Sequence, residues 1–151
     1  MTVAGIIERK GSQVVAVDRD ATLSEVTAEL AAHAIGLVVV LSADGRLEGV
    51  VSERDVLRKL AAHGPAAMSL GVEQAMTRRV VTATPQTTLD EAMAMMTLGS
   101  FRHLPVLEDG ELVGIISVRD VVRAQVDINQ FEVRMMRAYL DTGSAPARLH
   151  A

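Results

Sequence analysis

The sequence predicts a mixed α/β (α+β) fold made of two copies of one β-α-β-β-α unit followed by a long helix. Three observations carry this. Val14-Val15-Ala16 through Leu23 and Glu25 recurs 66 positions later as Val80-Val81-Thr82 through Leu89 and Glu91. Gly49-Val50-Val51-Ser52-Glu53-Arg54-Asp55-Val56 returns as Gly114-Ile115-Ile116-Ser117-Val118-Arg119-Asp120-Val121, one residue closer. In each copy an Asp-Gly pair divides two apolar runs, a strong hairpin signal. A unit of roughly 60 residues exposes too much apolar surface alone, so the copies are expected to form one body with a cleft between them.

Each copy opens on a β-prone stretch, 13–17 or 80–83. Thr22 with Glu25 and Thr88 with Glu91 then spell Thr-x-x-Glu capping boxes, where the hydroxyl accepts from an early backbone N–H and the carboxylate reaches back. The helices they start are expected over 23–33 and 89–98, where apolar residues recur near every 3.6 positions. Hairpins follow, 37–41 with 47–51 about Asp44-Gly45, and 104–107 with 112–116 about Asp109-Gly110. Ser52 and Ser117 each begin another helix. A surface linker with His63-Gly64-Pro65 leads to a short helix over 72–76, matching 6–10 ahead of the first copy. The boundaries are thus a first repeat at 6–60, a linker at 61–71, a second repeat at 72–126, a helical extension at 127–140 and a flexible tail at 141–151. The last helix, 118–140, carries Val122, Val126, Phe131, Met135 and Tyr139 among Arg and Glu residues. It is too long for one repeat to cover. Its apolar stripe either contacts a second copy or folds back on its own module.

The 151 residues are 49% hydrophobic, with two Phe, one Tyr and no Trp, so aliphatic residues and eight Met must build the core; Met93, Met95 and Met96 are assigned to packing. Absence of Cys excludes disulfides, thiol catalysis and thiolate metal sites. A formal net charge of −4 argues against nonspecific nucleic-acid binding, and no stretch approaches the roughly 20 apolar residues that a bilayer span requires. A cytoplasmic protein is the expectation. The four His (33, 63, 103 and 150) lack metal-ligand spacing, and neither a phosphate loop nor a Gly-x-Gly-x-x-Gly fingerprint occurs. No enzyme is expected, and no metal.

The duplicated Gly-h-h-Ser-x-x-Asp, with h apolar, sets a hydroxyl and a carboxylate at a strand-to-helix junction. A single copy reads as a capping box with Asp in place of Glu. Twice at one place in a repeat, after a Gly that permits close approach, it also suits a nucleotide: helix N–H groups and the Ser hydroxyl for phosphate, the Asp for ribose hydroxyls. Phe101-Arg102-His103-Leu104-Pro105-Val106 supplies a cation before the second hairpin, where copy one has Gly36 and Leu37.

On these strings the chain resembles a tandem pair of CBS domains, named from cystathionine β-synthase, in stand-alone prokaryotic form, over about residues 6–126. The resemblance implies a flat pseudo-twofold module whose clefts bind AMP, ADP, ATP, NAD(H) or S-adenosylmethionine, commonly pairing into disk-like dimers that regulate rather than catalyse. Carried over, Asp120 would hold ribose and Ser117 phosphate, beside Ile115, Arg102 and His103, with adenine near Gly11, Ala16, Ile35 and Gly36. A second cleft would use Asp55 and Ser52, with Thr77, Thr82, Phe101 and Leu37 about the base. Lys10, Arg54 and Arg119 could meet phosphate, or the arginines could make surface salt bridges. Copy one has Val39 where copy two has Pro105 and no basic residue before its strand, so the resemblance ranks the Asp120 cleft first. The expectation is an adenine-nucleotide sensor, AMP foremost, acting as a homodimer on a separate target protein. The alternative is a dimerisation module with empty clefts.

Overall fold

The computed structural model describes residues 1–143. The first half contains β1 (Ala16–Asp18), α2 (Leu23–His33), β2 (Leu37–Leu41), β3 (Leu47–Ser52) and α3 (Glu53–His63); the second contains α4 (Leu89–Gly99), β4 (His103–Glu108), β5 (Glu111–Ser117) and α5 (Val118–Gly143). Helix α1 (Val3–Lys10) precedes both. Both capping boxes form as the spacing predicts, with Thr22 and Thr88 accepting from the N–H of Glu25 and Glu91 while each carboxylate returns to the cap backbone. Both hairpins pair antiparallel. The residue lost between copies comes out of the turn, where Asp109 and Gly110 (φ 50° and 83°) join β4 to β5 directly.

Pairing differs at the leading strands. β1 runs parallel to β2, and the Val39 N–H donates to the Val15 carbonyl at 3.2 Å. The second copy forms no such strand over 80–83, because Pro105 stands in the place of Val39 and has no N–H to offer. Only Ala83 bridges, donating to the Pro105 carbonyl and accepting from Leu107, each at 2.9 Å.

The halves exchange their leading segments. Val3 and Ile6 of α1 are buried in the second half's core with Leu89, Met96, Leu104 and Ile116. Val72 and Met76 are buried in the first half's core with Leu23, Val26, Val38 and Val51. Backbone bonds stitch each exchange: Val3 N–H to Thr87 O at 2.8 Å, Val72 N–H to Ala21 O at 2.8 Å, and a reciprocal pair between Val50 and Thr77. The stretch expected as a surface linker is therefore structured. α3 continues to His63, a 3-10 turn spans Gly64–Ser69, and Ala67 is fully buried. The expected helix over 72–76 is one 3-10 turn, Val72–Gln74. α5 runs on to Gly143, so the tail expected from 141 begins as helix; residues 144–151 lie outside the described residues. Met96 is buried, and Met93 and Met95 pack on the same core.

Candidate functional site

Both Ser-x-x-Asp strings are helix caps in the folded chain. Asp55 Oδ2 accepts from the Ser52 N–H (2.8 Å) and Ser52 Oγ (2.9 Å), and Ser52 Oγ accepts from the Asp55 N–H (3.3 Å). Asp120 and Ser117 repeat this geometry at the same three distances. In each case one carboxylate oxygen, Oδ2, carries the cap. Oδ1 of Asp55 lies 3.8 Å from Arg58, and Asp120 Oδ1 has no hydrogen bond among the described residues. The Thr-Glu boxes leave one carboxylate oxygen off the cap in the same way, so the spare acceptor permits a ligand contact without requiring one.

What stands beside each cap differs. Next to Asp55 lies a cavity of about 810 Å³, within the range of small-molecule sites. Its first wall is Gly36, Leu37 and the start of α3; its second is the segment at Thr77 and Arg79; its third is Gly99 through His103 from the other half. Four arginines, Arg54, Arg58, Arg79 and Arg102, are among its lining residues, against two acidic residues, Glu53 and Asp55. In a chain of net charge −4 this is a local excess of positive charge. Arg102 is placed by its own backbone, whose carbonyl accepts from the Val118 N–H at 2.9 Å, as Gly36 accepts from Glu53 in the first half.

Next to Asp120 stands Lys10. Its ammonium group donates to Asp120 Oδ2 at 2.7 Å and to the Ile115 carbonyl at 3.1 Å. Partial burial alone would raise the Asp120 pKa, but Lys10 and the Ser117 donors outweigh it and hold the carboxyl below its ordinary value. His103 is pushed down, first by burial and then by Arg102 and Lys10, against the opposing pull of Asp120 and Glu53. Its ring lies close to Gly36, where an added Cβ would come within 3.5 Å of it.

The two expected clefts therefore regroup. Leu37, Ser52, Asp55, Thr77 and Phe101 share the cavity, joined by Gly36, Arg102 and His103, which the resemblance assigns to the Asp120 cleft. Gly11, Ala16, Ile35, Ile115, Ser117, Asp120 and Thr82 do not line it. Gly11 caps α1 with φ 91°, Ala16 opens β1 exposed, and Ile35 packs on the first half's core. The motif glycines make room for the protein's own chain: a Cβ at Gly49 would meet the Thr77 carbonyl at 2.8 Å, and one at Gly114 would meet the Ile7 side chain at 3.2 Å. Arg58 and Arg79 escape the sequence reading. Arg58 was within reach of it, being one turn after Arg54 on the same helix face. Arg79 lies in a loop with no pattern to place it. Among the described residues no three His, Asp or Glu side chains gather as a metal would need, and no helix is long and apolar enough to cross a membrane.

Fold and site together define a duplicated α+β module with an anion-suited cleft between its halves. The CBS-domain family model matches residues 4–62 and 72–127, and the chain belongs to that family. Its proteins are generally regulatory modules rather than enzymes. A mitochondrial CBS domain-containing protein of Arabidopsis thaliana, CBSX3, is 34% identical over 82% of this chain, which spans 62% of that relative's length. Of solved structures, the CBS-domain protein ATU1752 of Agrobacterium tumefaciens superposes with a TM-score of 0.80 at 44% identity, covering 82% of this chain and 92% of the other. The CBS domain protein PAE2072 of Pyrobaculum aerophilum, complexed with AMP, superposes with a TM-score of 0.72 at 30% identity, covering 80% and 89%.

Proposed function

We propose that the chain is a cytoplasmic, non-catalytic sensor that binds an adenine nucleotide, AMP before ATP or NAD(H), in the cavity beside Asp55 and passes its state to a separate protein. The observation that carries this is the set of four arginines around a Ser-capped helix start in an otherwise acidic chain. Helix N–H groups and guanidinium groups suit phosphate, while Asp55 Oδ1 suits a ribose hydroxyl. The AMP complex of the Pyrobaculum relative supports the choice of ligand. Placing the ligand at Asp55 reverses the order implied by the motif alone, because Arg102 and His103 open toward this side while Lys10 engages Asp120.

A thermal-shift titration with AMP, ATP and NAD tests the reading. A ligand that binds only the folded chain at a hundredfold excess over its dissociation constant adds about 2.7 kcal/mol, a clear rise in Tm. Asp55→Asn retains an oxygen for the Ser52 cap but loses the charged acceptor, so it and Arg102→Ala should each erase most of the rise. Asp120→Asn should spare it. No rise with any adenine ligand would instead favour a dimerisation module with empty clefts. Greater damage from Asp120→Asn would move the ligand to the other side.

A further inference from the structure

α5 outruns the module it belongs to. Val121 and Ala124 are buried in the second half's core and Ile128 packs against it, yet every residue over 129–142 is exposed. A helix of only about four turns is marginal by itself in water. On the side away from the core, Val122, Val126, Asn129, Val133, Met136 and Leu140 recur at alternating steps of four and three. That is a heptad seam, with Val126, Val133 and Leu140 at the a positions and Val122, Asn129 and Met136 at the d positions. Its apolar side chains are between 46% and 66% exposed.

We propose that this seam pairs with the same seam of a second copy as a parallel two-stranded coiled coil. Val126 and Val133 put β-branched residues at two of the three a positions, the half of the two-stranded pattern this seam carries, and in register the Asn129 amide meets the same amide of the second copy. Charge selects the direction. Glu132 precedes an a position and Arg137 follows a d position, and in a parallel pair these two sites face each other across the interface. Neither makes an ion pair within its own chain among the described residues. An antiparallel pair crossing at Gln130 would set Arg123 against Arg137. The arrangement is independent of what the cavity binds.

The chain has no cysteine, so a single introduced thiol reports the contact. Under mild oxidation, full-length Val126→Cys and Val133→Cys should each give a disulfide-linked dimer, because an a position in a parallel coil meets itself; Phe131→Cys, on the outer side, should not. In sedimentation equilibrium, Val133→Asp with Met136→Asp should raise the dimer dissociation constant at least tenfold. Both side chains are exposed in the single chain, and an unchanged Tm for the module would confirm that folding is intact. Glu132→Arg and Arg137→Glu should each weaken the dimer and together restore it. A dimer indifferent to the double Asp variant, a chain monomeric at tens of micromolar, or cross-linking at Phe131 in preference to Val133 would each overturn the proposal. The last would point to a pairing on the Phe131 and Met135 face.

Discussion

Lys10 and Asp120 show how a single ammonium group can hold a helix start to a distant segment. The pair joins α1 to α5 at 2.7 Å, with the Asp120 side chain 22% exposed and that of Lys10 42% exposed. Because the folded-state pKa of Asp120 is depressed, its contribution is present in full above the ordinary carboxylate range and is lost as pH falls from there through the folded-state pKa. Lys10→Met should therefore lower Tm at pH 7, and the gap from the parent chain should begin to narrow as pH falls to about 4, where the unfolded carboxyl takes up its proton, and close only below the depressed folded-state pKa. Melting curves across that range check this. A gap that stays constant with pH would assign the role of Lys10 to its methylene stem rather than its charge. The residue scale is also where sequence reading is most exposed to error. Ser-x-x-Asp was legible as a cap and as a ligand site, because one carboxylate can serve both; in the fold Oδ2 holds the cap and Oδ1 is left off it.

Helices and hairpins follow from short-range chemistry, which is why they were legible. Thr88 and Glu91 lie three residues apart, and the backbone and hydroxyl of Thr88 hold the Glu91 carboxyl below its ordinary pKa. Thr88→Ala should cost about 1 kcal/mol, the usual loss for a helix N-cap, read as a shift in the midpoint of urea unfolding. Thr88→Ser should restore most of it, since the hydroxyl is the group that matters. The second copy's leading strand was misread because strand formation depends on the partner strand as well as local propensity. Val80, Val81 and Thr82 are good strand residues, but the ladder bond they need would come from residue 105, and proline cannot donate it. Similarly, 61–71 has the small residues, Gly and Pro of a surface connection. Its 3-10 turn is nonetheless held by burying Ala67 beside α2 and α3, a tertiary effect that local composition does not reveal.

At the scale of the molecule, the repeat announced one body with a cleft, but the exchange of leading segments was hidden. The segments 6–10 and 72–76 precede their copies at matching places, and nothing local tells either to cross to the opposite half. The crossing also explains the cavity, since it brings Thr77 and Arg79 to the wall opposite the start of α3. It makes the halves interdependent, and Gly49 tests this. A Cβ there would sit 2.8 Å from the Thr77 carbonyl and 2.9 Å from Met76 Sδ. The carbonyl cannot retreat while Thr77 and Val50 exchange backbone hydrogen bonds at 2.9 and 3.1 Å. Gly49→Ala must then push the segment carrying Val72 and Met76 off the first core, at about 1 to 3 kcal/mol, the range for overpacking. Gly114→Ala meets only the end of the Ile7 side chain, 3.2 Å away, which can turn aside, so its cost should be smaller. If the exchange couples the halves, unfolding of the Gly49 variant remains one transition, and amide protection falls by the same factor in α4 and β5 as in α2 and β3. Loss confined to the first half would show that the two cores open separately, and that the crossing segments join them without making them one cooperative unit.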